Sequence, residues 1–268
     1  MFDFLITYNR DIVFAITFGS IAVMLLVEHI KPRRAESDRQ TSRWLNNISL
    51  SLFNIILMAF VSAGVGSLLW KFSLQPEHTL IEYFELNLFS ATIITFMLLE
   101  FVYYWFHRLM HKIPAFWRIH AVHHCDTEID VTTTHRHHPL EPILVLIISL
   151  PVILLLGPPI IIVVFYNLLR IIISSFSHSN IFIPKAVDYW LQYFIITPDF
   201  HRLHHVSYNP YTDSNYGSIV PWFDYLFGSA TKLDFNKQKT IQLGLSYFRD
   251  PLDSRIDHLL LIPFRWKK

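Results

Sequence analysis

The sequence predicts an all-α polytopic membrane protein with four to five membrane helices, including a helical hairpin, beneath a cytosolic histidine-rich helical cap. Three observations predict it. Long apolar runs recur along a chain that is 52% hydrophobic and only 16% charged, with mean hydropathy +0.35; the apolar share is near the soluble average but the charge is not. The loops between those runs share Lys and Arg unequally. Eight histidines fall into one HxxxH box and two HxxHH boxes. At 268 residues, without a long repeat or a linker, the chain is expected to form one domain over 1–268.

Membrane segments are expected near 11–30, 48–70, 86–106, 143–156 and 160–176, with the cap built from 107–141 and 177–268. Ile12–Val27 is an apolar run closed by Glu28 and His29, slightly short for a bilayer and extended by its flanks. The first ten residues hold one basic residue, and no A-x-A-like site follows the run, so a retained helix is expected rather than a cleaved leader. Ile48–Trp70 is the clearest span, with no charge, and its Gly64 and Gly66 permit close helix packing. Leu88–Phe106 is apolar and aromatic, is broken only by Glu100, and runs directly into His107. A carboxylate there is either a functional group or an interfacial one. Ile143–Leu156 and Ile160–Phe176 flank Gly157-Pro158-Pro159, which reads as a tight turn between two helices that span or re-enter.

Lys31, Arg33, Arg34, Arg39 and Arg43 follow the first span, whereas Lys71–Asn87 contains one Lys and three acidic residues. The positive-inside rule therefore places the first loop in the cytoplasm. The third span then delivers His107 to that face, the hairpin returns His178 to it, and the polar remainder stays there.

The boxes are His107/His111, His120/His123/His124 and His201/His204/His205. Helical residues three and four apart share a face, so each box aims several imidazoles at one place. Pro114 suits the first turn of the helix bearing the second box. Thr197, Pro198 and Asp199 form a helix start for the third. Imidazole binds iron, zinc and copper, and eight of them converging on one membrane face exceed what one ion takes, so two ions are expected. His178 is expected as a ninth ligand. His138, Glu141 and Asp126 are candidates for an extra ligand or for holding ligand imidazoles, with His135 and His137 weaker ones. Cys125 is read as a packed residue rather than a thiolate ligand, and as the single cysteine it excludes an intrachain disulfide. His29, His78 and His258 are read as incidental. Beyond the metal ligands no catalytic residue is assigned. A net charge of +1 gives no argument for nucleic acid. Many neutral imidazoles suit oxidation of an unactivated C–H bond by oxygen at a metal, and a membrane base lets a lipid substrate arrive laterally.

The ordered boxes resemble the fatty acid hydroxylase/sterol desaturase superfamily. The resemblance includes Tyr103-Tyr104-Trp105-Phe106-His107, His138-Pro139-Leu140-Glu141, His178 and Thr197-Pro198-Asp199-Phe200-His201. Thr212-Asp213-Ser214-Asn215-Tyr216-Gly217 and Asp224-Tyr225-Leu226-Phe227-Gly228 also fit, as do Glu28 to Arg34 and Arg43 to Asn47. It implies a non-haem dinuclear centre, taken to be iron, and O2-dependent hydroxylation or desaturation of a fatty acyl, sterol, sphingoid or ether lipid. Zinc outcompetes ferrous iron at nitrogen sites, so purified protein can carry zinc. Phe182 stands where some members have another histidine, which leaves eight to ten ligands; Phe223 stands where many have tryptophan, a departure that bears on packing rather than chemistry. No dinucleotide fingerprint occurs among the seven glycines, so electrons are expected from a separate reductase, ferredoxin or cytochrome. The expected location is a bacterial inner membrane or the endoplasmic reticulum. Rival readings are a desaturase with the same site, a membrane metal transporter or metal-binding protein, and a bis-histidine haem carrier.

Overall fold

The structure, a computed structural model, describes residues 9–35, 40–71 and 79–265; Arg39, His78 and part of the loop after the second span lie outside the described residues. Among these residues no strand forms, and extended pairing is limited to the isolated bridges Pro32–Ile181 and Val206–Leu243. Among the described residues four helices are long and apolar enough to cross a membrane: α1 (Asn9–Ile30), α2 (Gln40–Lys71), α4 (Leu88–Lys112) and α7 (Ile160–His178). The short α3 (Leu80–Tyr83) precedes α4. The apolar α6 (Leu140–Leu156) has 17 residues, about 26 Å against a hydrocarbon core of about 30 Å.

Two helices outrun the apolar runs that predict them. Helix α2 starts at Gln40 rather than 48, because one side of its polar first turns is buried against the cap: Asn47 is fully buried and Arg43 nearly so. Helix α4 continues to Lys112 rather than ending at 106, so His107 and His111 extend the same rod. At Gly157 the backbone is left-handed (φ +62°), and its N–H caps α6 on Ile153 O at 2.9 Å. A Cβ there would stand 2.1 Å from the Thr79 side chain. Beyond this turn the two helices diverge. Helix α6 lies chiefly against α4, whereas α7 lies against α1, where Ser20 and Ser175 hydroxyls meet at 3.0 Å. Small polar residues of this kind let membrane helices approach closely.

The cap begins where Ile113 adopts an extended conformation and Pro114 opens α5 (Pro114–His124), which folds back on α4. A capped single turn, Val131–His135, leads to α6. After α7 come α8 (Lys185–Leu191), α9 (Pro198–His204), α10 (Trp222–Leu226) and α11 (Ile256–Leu261), joined by ordered turns. Thr197 caps α9 by accepting from Phe200 N–H at 3.3 Å.

Arg33 and Arg43, basic residues that follow the first span, are structural. Arg33 forks onto Asp199 at 2.9–3.1 Å, and Arg202 pairs with the same carboxylate. Arg43 bonds Asp126 at 2.8 Å and also pairs with Asp130. Trp44 Nε1 donates to Asp130 at 2.7 Å. These pairs put the first loop, the root of α2 and the third histidine box on one side of the membrane helices.

Glu28 closes this junction from α1: its Oε1 accepts from the N–H groups of Val131 (2.9 Å) and Asn180 (2.6 Å). Glu28→Ala removes the acceptor from two buried donors, at about 1–3 kcal/mol each. A lowered apparent Tm in detergent is expected, with most of it restored in Glu28→Gln, which keeps an acceptor oxygen. Unchanged melting of Glu28→Ala would show that water replaces the carboxylate.

Candidate metal centre

Nine histidines meet in two adjoining groups. His107, His111, His120, His124 and His204 form the first, and His123, His178, His201 and His205 the second, with one nitrogen of each residue within 4.8 Å of the others in its group. Helical spacing explains the partition. In each HxxHH box the first and last histidines, four apart, enter one group, and the middle one enters the other. The second box sends His120 and His124 to the first group and His123 to the second. The third sends His201 and His205 to the second group and His204 to the first. The groups touch where the rings of His124 and His205 stack at 4.5 Å.

The protons of these imidazoles can be placed from their partners. A carbonyl only accepts, so His107 Nδ1 donates to Tyr216 O (2.8 Å), His204 Nδ1 to Ser214 O (2.7 Å) and His178 Nδ1 to Ser174 O (2.8 Å). His120 Nδ1 lies 2.9 Å from Glu141 Oε1 and donates to it. Their Nε2 atoms therefore carry lone pairs, and these converge. His107 and His120 Nε2 are 3.0 Å apart, and His178 Nε2 lies 3.1 Å from His123 Nε2 and 3.0 Å from His201 Nε2. His204 Nε2 is buried without a hydrogen-bond partner. Facing lone pairs repel unless a cation sits among them. At metal–nitrogen bonds of about 2.1 Å, ligands at right angles stand about 3.0 Å apart, so the spacing suits a metal ion in each group.

Burial, reinforced by the neighbouring imidazoles, pushes His123, His124, His201, His204 and His205 well below the usual histidine range. They stay neutral, the form that ligates.

The other candidates separate clearly. Glu141 is held between His120 and His137, whose Nδ1 lies 3.0 Å away, and the His137 ring stacks on His123 at 4.4 Å. Hence His137 stands closer to the centre than sequence ranks it. His138 faces Leu260 O and Leu140 N instead, and belongs to neither group. Asp126 accepts from Arg43, Asn47 and Thr133 and reaches no imidazole among its hydrogen bonds. Cys125 Sγ faces Val122 O and Arg136, also away from the groups. Glu100 is buried, accepting from Tyr166 Oη (2.7 Å) and from Ile219 and Val220 N–H (2.9 and 3.1 Å), so it clamps backbone rather than lying at an interface.

Sequence reasoning misses the segment that orients the first group. Ser214 O and Tyr216 O hold His204 and His107 from two carbonyls of one short strip. Between them Asn215 sits at φ +55°, donating to Phe200 O and Thr231 O and accepting from Thr231 N–H. Asp224 takes the Tyr216 and Gly217 N–H groups at 2.8 Å each. The signal was present in the Asp213-Ser214-Asn215-Tyr216-Gly217 stretch, but nothing local says that its carbonyls matter.

Two outcomes follow. Asn215→Ala should weaken metal retention in the first group by about 10–100-fold, the usual consequence of disturbing what holds a ligand. With an ion in each group, metal per chain after chelator dialysis would fall by about one equivalent, from the first group alone; retention equal to wild type would remove the strip from this role. In metal-stripped protein the unfolded chain takes up protons near pH 6.5 that the folded imidazoles refuse. Stability is thus fully present above about pH 6.5 and declines below it, by up to about 1.4 kcal/mol per pH unit for each such imidazole. Melting curves from about pH 8 to about pH 5 test the sign.

Known proteins share this region. The chain is 32% identical over 141 residues to very-long-chain aldehyde decarbonylase GL1-5 of Oryza sativa subsp. indica, covering 50% of this chain and 22% of that protein. It is 31% identical over 179 residues to Protein CER1-like 2 of Arabidopsis thaliana (60% and 28%) and 30% identical over 175 residues to alkylglycerol monooxygenase of Xenopus tropicalis (63% and 36%). The matched part is thus well under half the length of each of these curated relatives. No solved structure matches. Residues 92–229 match the fatty acid hydroxylase model and contain all nine clustered histidines. With just over half of its length matched in this way, the chain belongs to the fatty acid hydroxylase family.

Proposed function

We propose that this protein is a single-domain, membrane-embedded dinuclear metal oxygenase that uses O2 to hydroxylate a lipid. The observation that carries the proposal is the pair of adjoining imidazole groups at the membrane-side face of the cap. His107, His111, His120, His124 and His204 would hold one ion, and His123, His178, His201 and His205 the other. Five nitrogens exceed the four-coordinate habit of zinc, which favours iron for the first site. A metal bound there supplies the capacity to activate oxygen. The protein's part is to keep the imidazoles neutral, to orient them from Ser214, Tyr216, Ser174 and Glu141, and to exclude bulk water. A relative named as an alkylglycerol monooxygenase and others named as very-long-chain aldehyde decarbonylases support a long-chain lipid substrate.

Hydroxylation of R–H by O2 to R–OH and water takes up two electrons and two protons. These electrons come from a separate redox partner docking on the side that bears the cap. Five Lys/Arg in the loop after the first span support a cytoplasmic position for that side. The groups lie near the ends of α4 and α7 rather than midway along them, which supports an enzyme over a transporter, whose ligands usually sit near the midplane.

The test is metal content and product analysis of protein purified from iron-supplemented cells. About two non-haem metals per chain are expected. His204→Ala and His201→Ala should each lower that content and reduce turnover by more than the roughly 100-fold seen when outer-shell partners are changed. A hydroxyl oxygen derived from 18O2 in the lipid product supports hydroxylation, whereas a new double bond without label would make the protein a desaturase. Metal content unchanged in either variant would remove that residue from the ligand set.

A further inference from the structure

The cap does not rest wholly above the membrane helices. Residues 185–227 form a lobe whose inner side packs down the flank of α4. Phe223 and Phe227 meet Phe101 at 5.6 and 6.3 Å, Phe227 meets Trp105 at 5.1 Å, and Glu100 accepts from the Ile219 and Val220 N–H groups. Trp105 and Glu100 precede His107 by two and seven residues, about 3 and 10 Å along a helix. The lobe therefore stands beside the membrane-spanning part of α4. Its backbone at Ile219 and Val220 is satisfied by a buried carboxylate, as backbone at that depth must be.

The outer side of the lobe is aromatic and bare. Trp190 is 66% exposed, Phe194 62% and Leu226 69%, with Tyr189 and Trp222 also exposed. Contacts join the aromatic residues into one patch: Trp222 Nε1 donates to Tyr193 O at 2.9 Å, Tyr225 stacks on Tyr193 at 5.3 Å, and Tyr189 adjoins both Trp190 and Tyr193; Phe194 and Leu226 directly follow Tyr193 and Tyr225 in the chain. Lys232 lies beside it, its ammonium 3.0 Å from Tyr193 Oη and 4.5 Å from the ring centroid. Aqueous surfaces rarely carry such a contiguous patch. Trp and Tyr with a flanking Lys is the composition of a membrane–water interface. On α4, Leu98 and Phe101 are exposed at the same level, so the patch continues the lipid-facing surface of a spanning helix.

We propose that the 185–227 lobe is a monotopic membrane element whose face bearing Tyr189, Trp190, Phe194, Trp222 and Leu226 is seated in the acyl-chain boundary of the leaflet next to the histidine groups. Its occupant is bilayer lipid. The lobe contains α9, which bears His201 and His204, so its immersion holds the centre at the level of the lipid chains.

The test is nitroxide labelling of Trp190→Cys, Phe194→Cys and Leu226→Cys in the full chain in phosphatidylcholine nanodiscs. Native Cys125 is buried and does not compete for label. Leu98→Cys serves as the lipid reference and the exposed Lys239→Cys as the aqueous one. At 190, 194 and 226 the ratio of relaxation by oxygen to relaxation by a water-soluble nickel chelate should match that at 98 and exceed that at 239 several-fold. Dominance of nickel would place the lobe in water, and weak effects of both would place it against a second protein surface; either overturns the proposal.

Discussion

Nine imidazole rings, mostly buried and held close together, would repel one another if their nitrogens were not individually directed. Each neutral ring has one N–H and one lone pair, and turning the lone pairs inward requires an acceptor on the outside for each N–H. For four of the rings, His107, His120, His178 and His204, the protein supplies that acceptor from separate elements: Ser174 within α7, Glu141 at the start of α6, and Ser214 and Tyr216 on the strip before α10. The arrangement of the cap follows from this need. The rings are dry, which keeps them neutral, and the groups that take the protons of these four are buried in the protein as well.

Satisfying them ties the cap to the membrane helices. The strip that orients His107 and His204 is held by Asp224 and Asn215, and farther along by Glu100 from within α4. On the other flank, Arg33, Arg43 and Arg136 reach the loops around the second and third boxes. Burial alone would raise Asp126, but Arg43 and Arg136 beside it bring it below the ordinary carboxylate range. Buried pairs of this kind contribute little net stability against apolar alternatives, yet breaking one strands a charge.

Hydropathy located the membrane helices well because burial in lipid is a property of a continuous run. It misjudged ends. Gln40 to Asn47 is polar yet helical, since Arg43 and Asn47 find their partners in the cap, and α4 persists through its charged and histidine-bearing end because nothing breaks it before Pro114. Histidine spacing was legible for a similar reason: an i, i+3, i+4 pattern is a statement about one helix. The pairing of the boxes was not. His124 stacks on His205 although 81 residues separate them, and His137 lies on His123 while its neighbour His138 points elsewhere.

By itself the sequence determined an all-helical membrane protein with imidazole boxes delivered to one face, because apolar run length and helical periodicity are local and survive without knowledge of neighbours. Only the tertiary structure decided how the boxes and His178 divide into groups of five and four, which carbonyls orient several of them, and that residues 185–227 descend along α4. Those features rest on contacts between residues far apart in the chain, with partners that are often backbone atoms, and a backbone carbonyl has no letter of its own in a sequence.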